Sequence, residues 1–357
     1  MERKRLVLGS QSNKQLPAKD DAIDIVTKPF GTAVVVIIGI IALAFGLFLS
    51  VSLGAANIHL HTVWEAVFYF DPQQTSHQII RELRLPRTVG AALVGAFLAV
   101  SGAIMQGMTR NALASPEIMG VTNGSAFAIA IAFAFFPGQS SFTLILWSFV
   151  GAALGASIVF GVGTLSKGGL TPVKLALAGT AVGALLSSIS SAIAIRFDVA
   201  QDMSFWYAGG VAGVNWSNIK IIIPVAVAGL IIAMILARSI TVLSLGDELA
   251  KGLGQYTRTV KVLGILVVIL LTGAAVSVAG SIGFIGLVIP HVTRFLVGVD
   301  YRWIIPCSAI LGAVLLIYAD IAARLVNAPF ETPVGAITAI IGVPFFLYLA
   351  RRERSGI

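Results

Sequence analysis

Charged side chains are scarce in this sequence. Asp, Glu, Lys and Arg make up 11% of its 357 residues, whereas a soluble domain carries about 25%. So few charges are unable to cover a water-facing surface of normal size, and apolar runs recur from residue 32 to residue 349. The shortage of charge therefore excludes an ordinary soluble domain and indicates a protein that lies in a lipid bilayer.

Cysteine is nearly absent, and several chemical motifs are missing. The single cysteine, Cys307, is unable to form a disulfide within the chain. The sequence has no Gly-x-x-x-x-Gly-Lys-Ser/Thr loop for nucleotide phosphates, no pairing of nucleophile and base, and no cofactor fingerprint. His59, His61 and His77 lie in one stretch, but a metal site needs three or four ligands in fixed geometry. We therefore expect no enzymatic activity, no cofactor and no metal site.

The apolar runs predict the fold. Crossing the hydrocarbon core takes about 20 apolar residues, which predicts an all-α, polytopic membrane protein with about ten transmembrane helices. Residues 1–30 read as a cytoplasmic tail without the features of a cleavable signal, and residues 31–352 as one transmembrane domain. Pro290 is expected to break or bend the eighth span. The predicted spans lie near 32–53, 88–108, 117–136, 142–164, 174–195, 219–237, 261–280, 284–297, 303–319 and 334–350.

Basic residues predict the orientation. An even number of spans places both termini on one side, and Lys and Arg are concentrated in the segments that lie inside if both termini are cytoplasmic. This is the distribution that the positive-inside rule requires. The net charge of +8 is thus explained by cytoplasmic loops, without a nucleic-acid partner. The basic residues that remain outside are Arg81, Arg84, Arg87, Arg196, Lys220 and Arg324.

The inner segment 238–260 is long enough to bind another protein. Within it, Asp247 and Glu248 follow Gly246, a pattern that favours a short helix whose first-turn acids are stabilised by the helix dipole. Gly252 and Gly254 suit a break and then a second short helix. We interpret this helix–break–helix as a docking element on the cytoplasmic face.

Six ordered motifs give the chain a resemblance to a known family. Together they resemble the permease subunits of ABC importers for iron–siderophores, haem and cobalamin, and the resemblance covers residues 35 to 352. The most distinctive is GFIGLVIPH at 283–291, and one departure is Ala112, where the family commonly has proline. The other motifs are the segment 238–260, LRLPR at 83–87, residues 101–124, FWYAGG at 205–210 with Trp216, and residues 320–346.

The resemblance implies an importer in the cytoplasmic membrane of a bacterium, with several partners. These are cytoplasmic ATPase subunits, an extracytoplasmic substrate-binding protein and a second permease subunit, identical or paralogous. The implied cargo is a ferric siderophore, with cobalamin or haem as alternatives. An inner-mouth loop would contain Asn111, Leu113 and Pro116. The implied contacts with the ATPase are Gly246, Asp247, Glu248, Leu249, Ala250, Gly252 and Gly254.

The outer arginines are candidates for docking the binding protein. Arg84 and Arg87 lie three residues apart and so share a helix face, and the resemblance assigns them, with Arg324, to pairing with acids of that protein. Such charges set docking register and association rate. Asp320 and Glu331 are expected to be solvated or to cap helices.

A proton-coupled secondary transporter is the alternative from a different class. Ionisable residues within membrane spans usually mark ion or proton routes. The predicted spans carry almost no charge, so the sequence favours the importer.

Overall fold

The computed structural model describes residues 28–53, 60–165, 172–328 and 330–354, and all its regular structure within these ranges is helical. Most of the predicted tail, residues 1–27, lies outside the described residues, as does His59. The helices are α1 (Pro29–Ser52), α2 (Leu60–Phe68), α3 (Thr75–Gln78), α4 (Leu85–Thr109), α5 (Val121–Phe135), α6 (Ser141–Leu165), α7 (Pro172–Arg196), α8 (Ala200–Ala208), α9 (Trp216–Ser244), α10 (Asp247–Gly252), α11 (Thr257–Ala279), α12 (Ile285–Val297), α13 (Tyr301–Val326) and α14 (Val334–Arg354).

Each predicted span corresponds to one helix, so the all-α fold is confirmed. Seven of the described helices are long and apolar enough to cross a bilayer, and α5, α12 and α14 are shorter apolar helices. The short helices α2, α3, α8 and α10 lie in the connections. A π-helical turn, Ile79–Arg84, joins α3 to α4, and a 3₁₀ turn, Pro116–Met119, precedes α5.

Several helices extend beyond the apolar runs that predicted them. α9 ends at Ser244 rather than near residue 237, and α13 ends at Val326 rather than near residue 319. Outside the hydrocarbon a helix keeps its backbone hydrogen bonds without apolar side chains, so the run marks only the part of the helix in lipid. The predicted loop 238–260 therefore shrinks to α10 and its flanking residues.

α4 is the central helix. Of the most apolar 18-residue stretch in Thr75–Thr109, the segment that contains α4, 83% is buried, against 28% of the corresponding stretch of α1 at the periphery. A methyl group at Gly95 would overlap the carbonyl oxygen of Gly312 in α13, and one at Gly102 would overlap that of Gly286 in α12. Glycine thus permits the close backbone approach that is typical of helices packed in a membrane.

Pro290 lies inside α12, which is continuous from Ile285 to Val297, so of the predicted break or bend the break does not occur. Its missing N–H leaves the carbonyl of Gly286 without the usual partner four residues later. Gln106 of α4 supplies a donor, because its Nε2 lies 3.2 Å from the carbonyl oxygens of both Gly286 and Leu287. A side chain from the central helix thus completes the first turn of α12.

The bundle has two ends. At the first, the α10 end, Arg110 after α4 lies beside Gly246 before α10. At the second, the arginine end, Arg84 and Arg324 bind carbonyls of the last turn of α1. Segments that the sequence predicts on one side of the membrane are therefore gathered at one end. That the α10 end faces the cytoplasm stays a prediction.

Candidate coupling and docking sites

α10 is a short helix held rigidly at the end of the bundle. Gly246 precedes it with φ of 134°, a conformation that side chains rarely adopt. Asp247 and Glu248 occupy its first turn, as predicted. The Asp247 carboxylate lies 2.5 Å from Nζ of Lys261 in α11, and Ala250 is fully buried. These contacts fix α10 to the spanning helices.

The outer surface of α10 and of the break after it is apolar as well as acidic. Leu249 is 52% exposed, Leu253 68% and Tyr256 83%, and Glu248 is exposed beside them. The predicted second short helix does not form, because Gly254 turns the chain with φ of 78° and the spanning helix α11 begins at Thr257. Sequence reasoning missed Leu253 and Tyr256, although apolar residues in a polar loop are a usable signal.

The predicted inner-mouth loop lies across a cleft from α10. The side chain of Asn111 accepts a hydrogen bond from the N–H of Leu113 at 2.9 Å, which closes a tight turn. The cleft has a volume of about 560 Å³ and is lined by Met105, Met108, Arg110, Met119, Lys261 and residues 245–249, among others. Asn111 and Leu113 line a smaller recess beside it. Pro116 packs instead against Gly286 at the start of α12.

Arg84 at the other end of the bundle points into the protein. Arg84 is 7% exposed, and its Nη1 donates hydrogen bonds to the carbonyls of Val51 and Ser52 at 2.8 and 2.9 Å. The last carbonyls of a helix lack partners within the helix and carry partial negative charge. Arg84 therefore satisfies and stabilises the end of α1.

Arg87 joins two acids that sequence reasoning expected to be solvated or capping. Its Nε and Nη2 lie 3.1 and 2.9 Å from Oδ1 of Asp320, and its Nη1 lies 2.5 Å from Oε1 of Glu331. The Asp320 side chain is fully buried, whereas that of Glu331 is 52% exposed. The expectation for Asp320 is thus wrong, since a buried carboxylate needs ion-pair partners.

Arg324 completes the cluster from the opposite side of Asp320. Its Nη2 lies 3.1 Å from Oδ2 of Asp320 and 2.7 Å from Oγ of Ser50, and its Nη1 donates to the carbonyls of Ser50 and Leu53. The Arg324 side chain is 10% exposed. The four-residue spacing of Asp320 and Arg324 is the sequence signal that could have revealed this pair.

The three predicted docking arginines are therefore brought together, but as one internal cluster with Asp320 and Glu331. We call these five residues the arginine cluster. Its contact with solvent runs mainly through Glu331, which covers one edge of Arg87. A partner that reaches Arg87 from solvent meets Glu331 first.

Comparison with known proteins extends the resemblance seen in the motifs. A sequence model of the FecCD transport family matches residues 42–352. The chain is 68% identical over 345 residues to the Bacillus subtilis iron(3+)-hydroxamate import system permease protein FhuB, which covers 97% of this chain and 90% of that protein. It is 49% identical over 322 residues to the B. subtilis iron-uptake system permease protein FeuB, covering 90% and 96% respectively. An inward-facing structure of a metal-chelate type ABC transporter superimposes with a TM-score of 0.78 at 30% identity, covering 91% of this chain and all of that one.

Proposed function

The chain belongs to the FecCD transport family, and on that premise we propose that it imports ferric siderophores of the hydroxamate class as the permease subunit of a binding-protein-dependent ABC importer. The observation that carries the cargo is the 68% identity with a permease of an iron(3+)-hydroxamate import system. That identity runs along nearly the whole of both chains, so it includes the spans and both ends of the bundle. The family resemblance inferred from the sequence motifs is confirmed.

Cytoplasmic ATPase subunits dock on α10 and supply the ATP hydrolysis, since this sequence has no nucleotide-phosphate loop. The exposed Leu249 and Leu253 offer apolar area at the tip, and Glu248 adds a charge that a basic partner surface recognises. Because Asp247 is paired with Lys261 of α11, displacement of α10 is transmitted directly to a spanning helix.

The cleft between α10 and the inner-mouth loop supports alternating access. It separates two elements that each connect to spanning helices, α9 and α11 on one side and α4 and α5 on the other. Closure of the partner ATPases pushes α10 toward the loop that contains Asn111 and Leu113. The permease then changes between outward-open and inward-open states with a second permease subunit, identical or paralogous.

The binding protein docks at the arginine end, in the extracytoplasmic space of a bacterium, while the permease lies in the cytoplasmic membrane. Three cations and two acids give the arginine cluster one net positive charge, which favours an acidic partner surface. Arg87 is the residue that such an acid reaches, by replacing Glu331. Arg84 and Arg324 hold the cluster in place because both donate hydrogen bonds to carbonyls at the end of α1.

The proposal is tested by rebuilding the complete importer in lipid vesicles. We expect ATP-driven uptake of a ferric hydroxamate that depends on the loaded binding protein, and no uptake of cobalamin or haem. Glu248→Ala together with Leu249→Ala should abolish the stimulation of ATP hydrolysis by that protein. Leu266→Ala, which removes an exposed apolar side chain from the face of the spanning helix α11, serves as the control and should leave it unchanged.

Two results would overturn parts of this proposal. Uptake of haem or cobalamin in place of the ferric hydroxamate would overturn the cargo. Uptake driven by a proton gradient without an associated ATPase would support the secondary transporter instead. Full stimulation of the ATPase in the Glu248→Ala, Leu249→Ala variant would remove α10 as the coupling element.

A further inference from the structure

The short helix α2 exposes a cluster of large apolar side chains at the arginine end of the bundle. Trp64 and Phe68 in the helix, and Tyr69 directly after it, are each more than half exposed. The ring centroids of Trp64 and Phe68 lie 4.3 Å apart, and Val67 is exposed on the neighbouring position. Exposed apolar side chains that cluster in this way mark a surface that meets lipid or another protein.

One side of α2 is packed on the bundle. Val63 and Ala66 are buried and form a small apolar core with Val51 of α1 and Ile80 of the π-helical turn. That turn ends at Arg84, directly before α4. The position of α2 is therefore coupled to the segment that brings Arg84 into the arginine cluster.

The exposed part of α2 divides into a polar and an apolar flank. At 3.6 residues per turn, residues three and four apart are neighbours on the helix surface. His61 and Glu65 form the polar flank, where Nδ1 of His61 lies 3.3 Å from Oε2 of Glu65. Trp64, Val67 and Phe68 form the apolar flank. With one side packed on protein, one polar and one apolar, α2 has the pattern of a helix that lies in the plane of a membrane interface.

α2 is placed where the hydrocarbon core ends. α1 has 24 residues, enough to cross a core that takes about 20, and α2 packs against its last turn through Val51. Ile41, Phe45 and Phe48 of α1 are exposed and follow one another along one face toward this end. Val51 comes three residues after Phe48 and adjoins that face. α2 therefore lies beside the lipid-facing surface of α1.

We propose that the apolar flank of α2 binds lipid at the membrane interface of the arginine end, and that α2 thereby fixes the depth of the arginine cluster in the bilayer. Trp and Tyr are enriched where hydrocarbon meets the headgroups, and Trp64 and Tyr69 supply both. α2 contains neither Lys nor Arg, so its binding needs no anionic headgroup. The inference requires only that the chain spans a membrane, and it is independent of the proposed cargo.

The extracytoplasmic binding protein is the other candidate occupant of this flank. The net positive arginine cluster favours an acidic partner surface. Glu65 is the one residue of α2 among Asp, Glu, Lys and Arg, so α2 offers such a surface a like charge and no cation. Lipid fits the apolar flank better than an acidic protein does.

Spin labels show which medium each flank meets. A nitroxide on Val67→Cys tests the apolar flank and one on Glu65→Cys the polar flank, in the full-length permease in nanodiscs of phosphatidylcholine. Wild type is the control, because its single cysteine, Cys307, is fully buried and should take no label. Oxygen concentrates in hydrocarbon and a nickel chelate in water. We expect the ratio of oxygen to nickel accessibility to be several-fold higher at position 67 than at position 65, with or without added phosphatidylglycerol.

A second measurement tests the effect of α2 on the arginine end. Trp64→Ala together with Phe68→Ala should speed backbone hydrogen exchange in α2 and in the turn Ile79–Arg84, because the lipid contact that holds α2 is lost. Phe205→Ala, which removes an exposed aromatic side chain from α8, is the control and should leave that exchange unchanged.

Three results would overturn the inference. Equal accessibility ratios at the two labels, or a higher ratio at position 65, would exclude lipid on the apolar flank. Protection of the label at position 67 from both reagents would show that a protein covers this flank instead. Wild-type exchange in the turn Ile79–Arg84 of the Trp64→Ala, Phe68→Ala variant would exclude a role of α2 in fixing the arginine cluster.

Discussion

Arg87 and Asp320 form a two-point ion pair, although 233 positions separate them in the chain. The Asp320 carboxylate is fully buried and is shared with Arg324, so it neutralises two guanidinium groups at the end of the bundle. If Asp320 lost its charge, Arg324 would have no acid partner in this pair and Arg87 would keep only the half-exposed Glu331. The pair therefore belongs to the folded core of the arginine end, and its role in docking is indirect.

Asp320→Asn should destabilise the protein strongly. Breaking a buried ion pair by removing one partner costs about 3–5 kcal/mol, because the remaining charge stays buried. Thermal unfolding of the purified permease in detergent should show a large fall in midpoint. Glu331→Gln is the matched control, since its pair with Arg87 is partly exposed and is expected to contribute about 1 kcal/mol or less. Equal effects of the two variants would contradict the assignment.

Glu331→Gln should strengthen binding of the loaded binding protein. In the structure Glu331 occupies the edge of Arg87 that an acid of the partner would need. Removing its charge leaves that edge available and raises the positive potential, which acts mainly on association rate. We expect a faster association at low salt that diminishes at high salt, measured by surface plasmon resonance with the permease in nanodiscs. An unchanged association rate would argue against Arg87 as the docking residue.

The sequence predicts the positions of the helices better than the contacts of individual side chains. α13 was predicted because lipid demands a long apolar run, a local property of the chain. The inward turn of Arg87 depends on Asp320 and Glu331, which lie far along the sequence, and a lone arginine at a membrane edge gives the same local pattern whether it faces water or protein.

Pro290 shows why a proline inside a helix does not always break it. Proline does remove a helical hydrogen bond, and in isolation α12 would be weakened at Gly286. α12 nevertheless continues through Pro290, because Gln106, which is 180 positions away from Gly286, donates a hydrogen bond to the freed carbonyl. Two of the family-like motifs, residues 101–124 and 283–291, are thus joined by one contact that neither motif reveals alone.

Leu253→Asp should weaken association with the ATPase subunits. Leu253 is 68% exposed just after α10, and an apolar side chain in a buried interface core is replaced poorly by a charge. We expect less ATPase to co-purify with the permease, while the midpoint of thermal unfolding stays close to that of wild type. Leu266→Ala on the exposed face of α11 controls for the loss of an exposed apolar side chain away from α10. Undiminished co-purification of the ATPase would contradict docking at this surface.

Asp300 should make stability depend on pH. Burial acts to raise the pKa of its carboxyl, but hydrogen bonds from Arg302 and Thr241 and the charge of Arg302 hold that pKa below its ordinary value. A carboxyl with a depressed folded pKa stabilises the protein above its unfolded pKa, about 3.9, and this stabilisation is lost as pH falls through the folded value. Asp300→Asn keeps a good helix cap but no charge. The difference in unfolding midpoint between wild type and this variant should stay constant from about pH 7 to pH 5 and become smaller below about pH 4. A difference that grows in acid would contradict a stabilising role of the Asp300 carboxylate.

Gln106→Leu should show how much the hydrogen bonds of Gln106, apart from its packing, stabilise α12. Leucine has nearly the same size as glutamine, so the change keeps the contact volume with α12 while it removes the donor to Gly286 and Leu287. A carbonyl left unpaired in a buried place costs about 1–3 kcal/mol. We therefore expect a lower unfolding midpoint and faster hydrogen exchange in α12, whereas Pro290→Ala in the same background should recover part of the loss by restoring the helical N–H. If Pro290→Ala gives no recovery, the carbonyl of Gly286 is not the group that Gln106 serves.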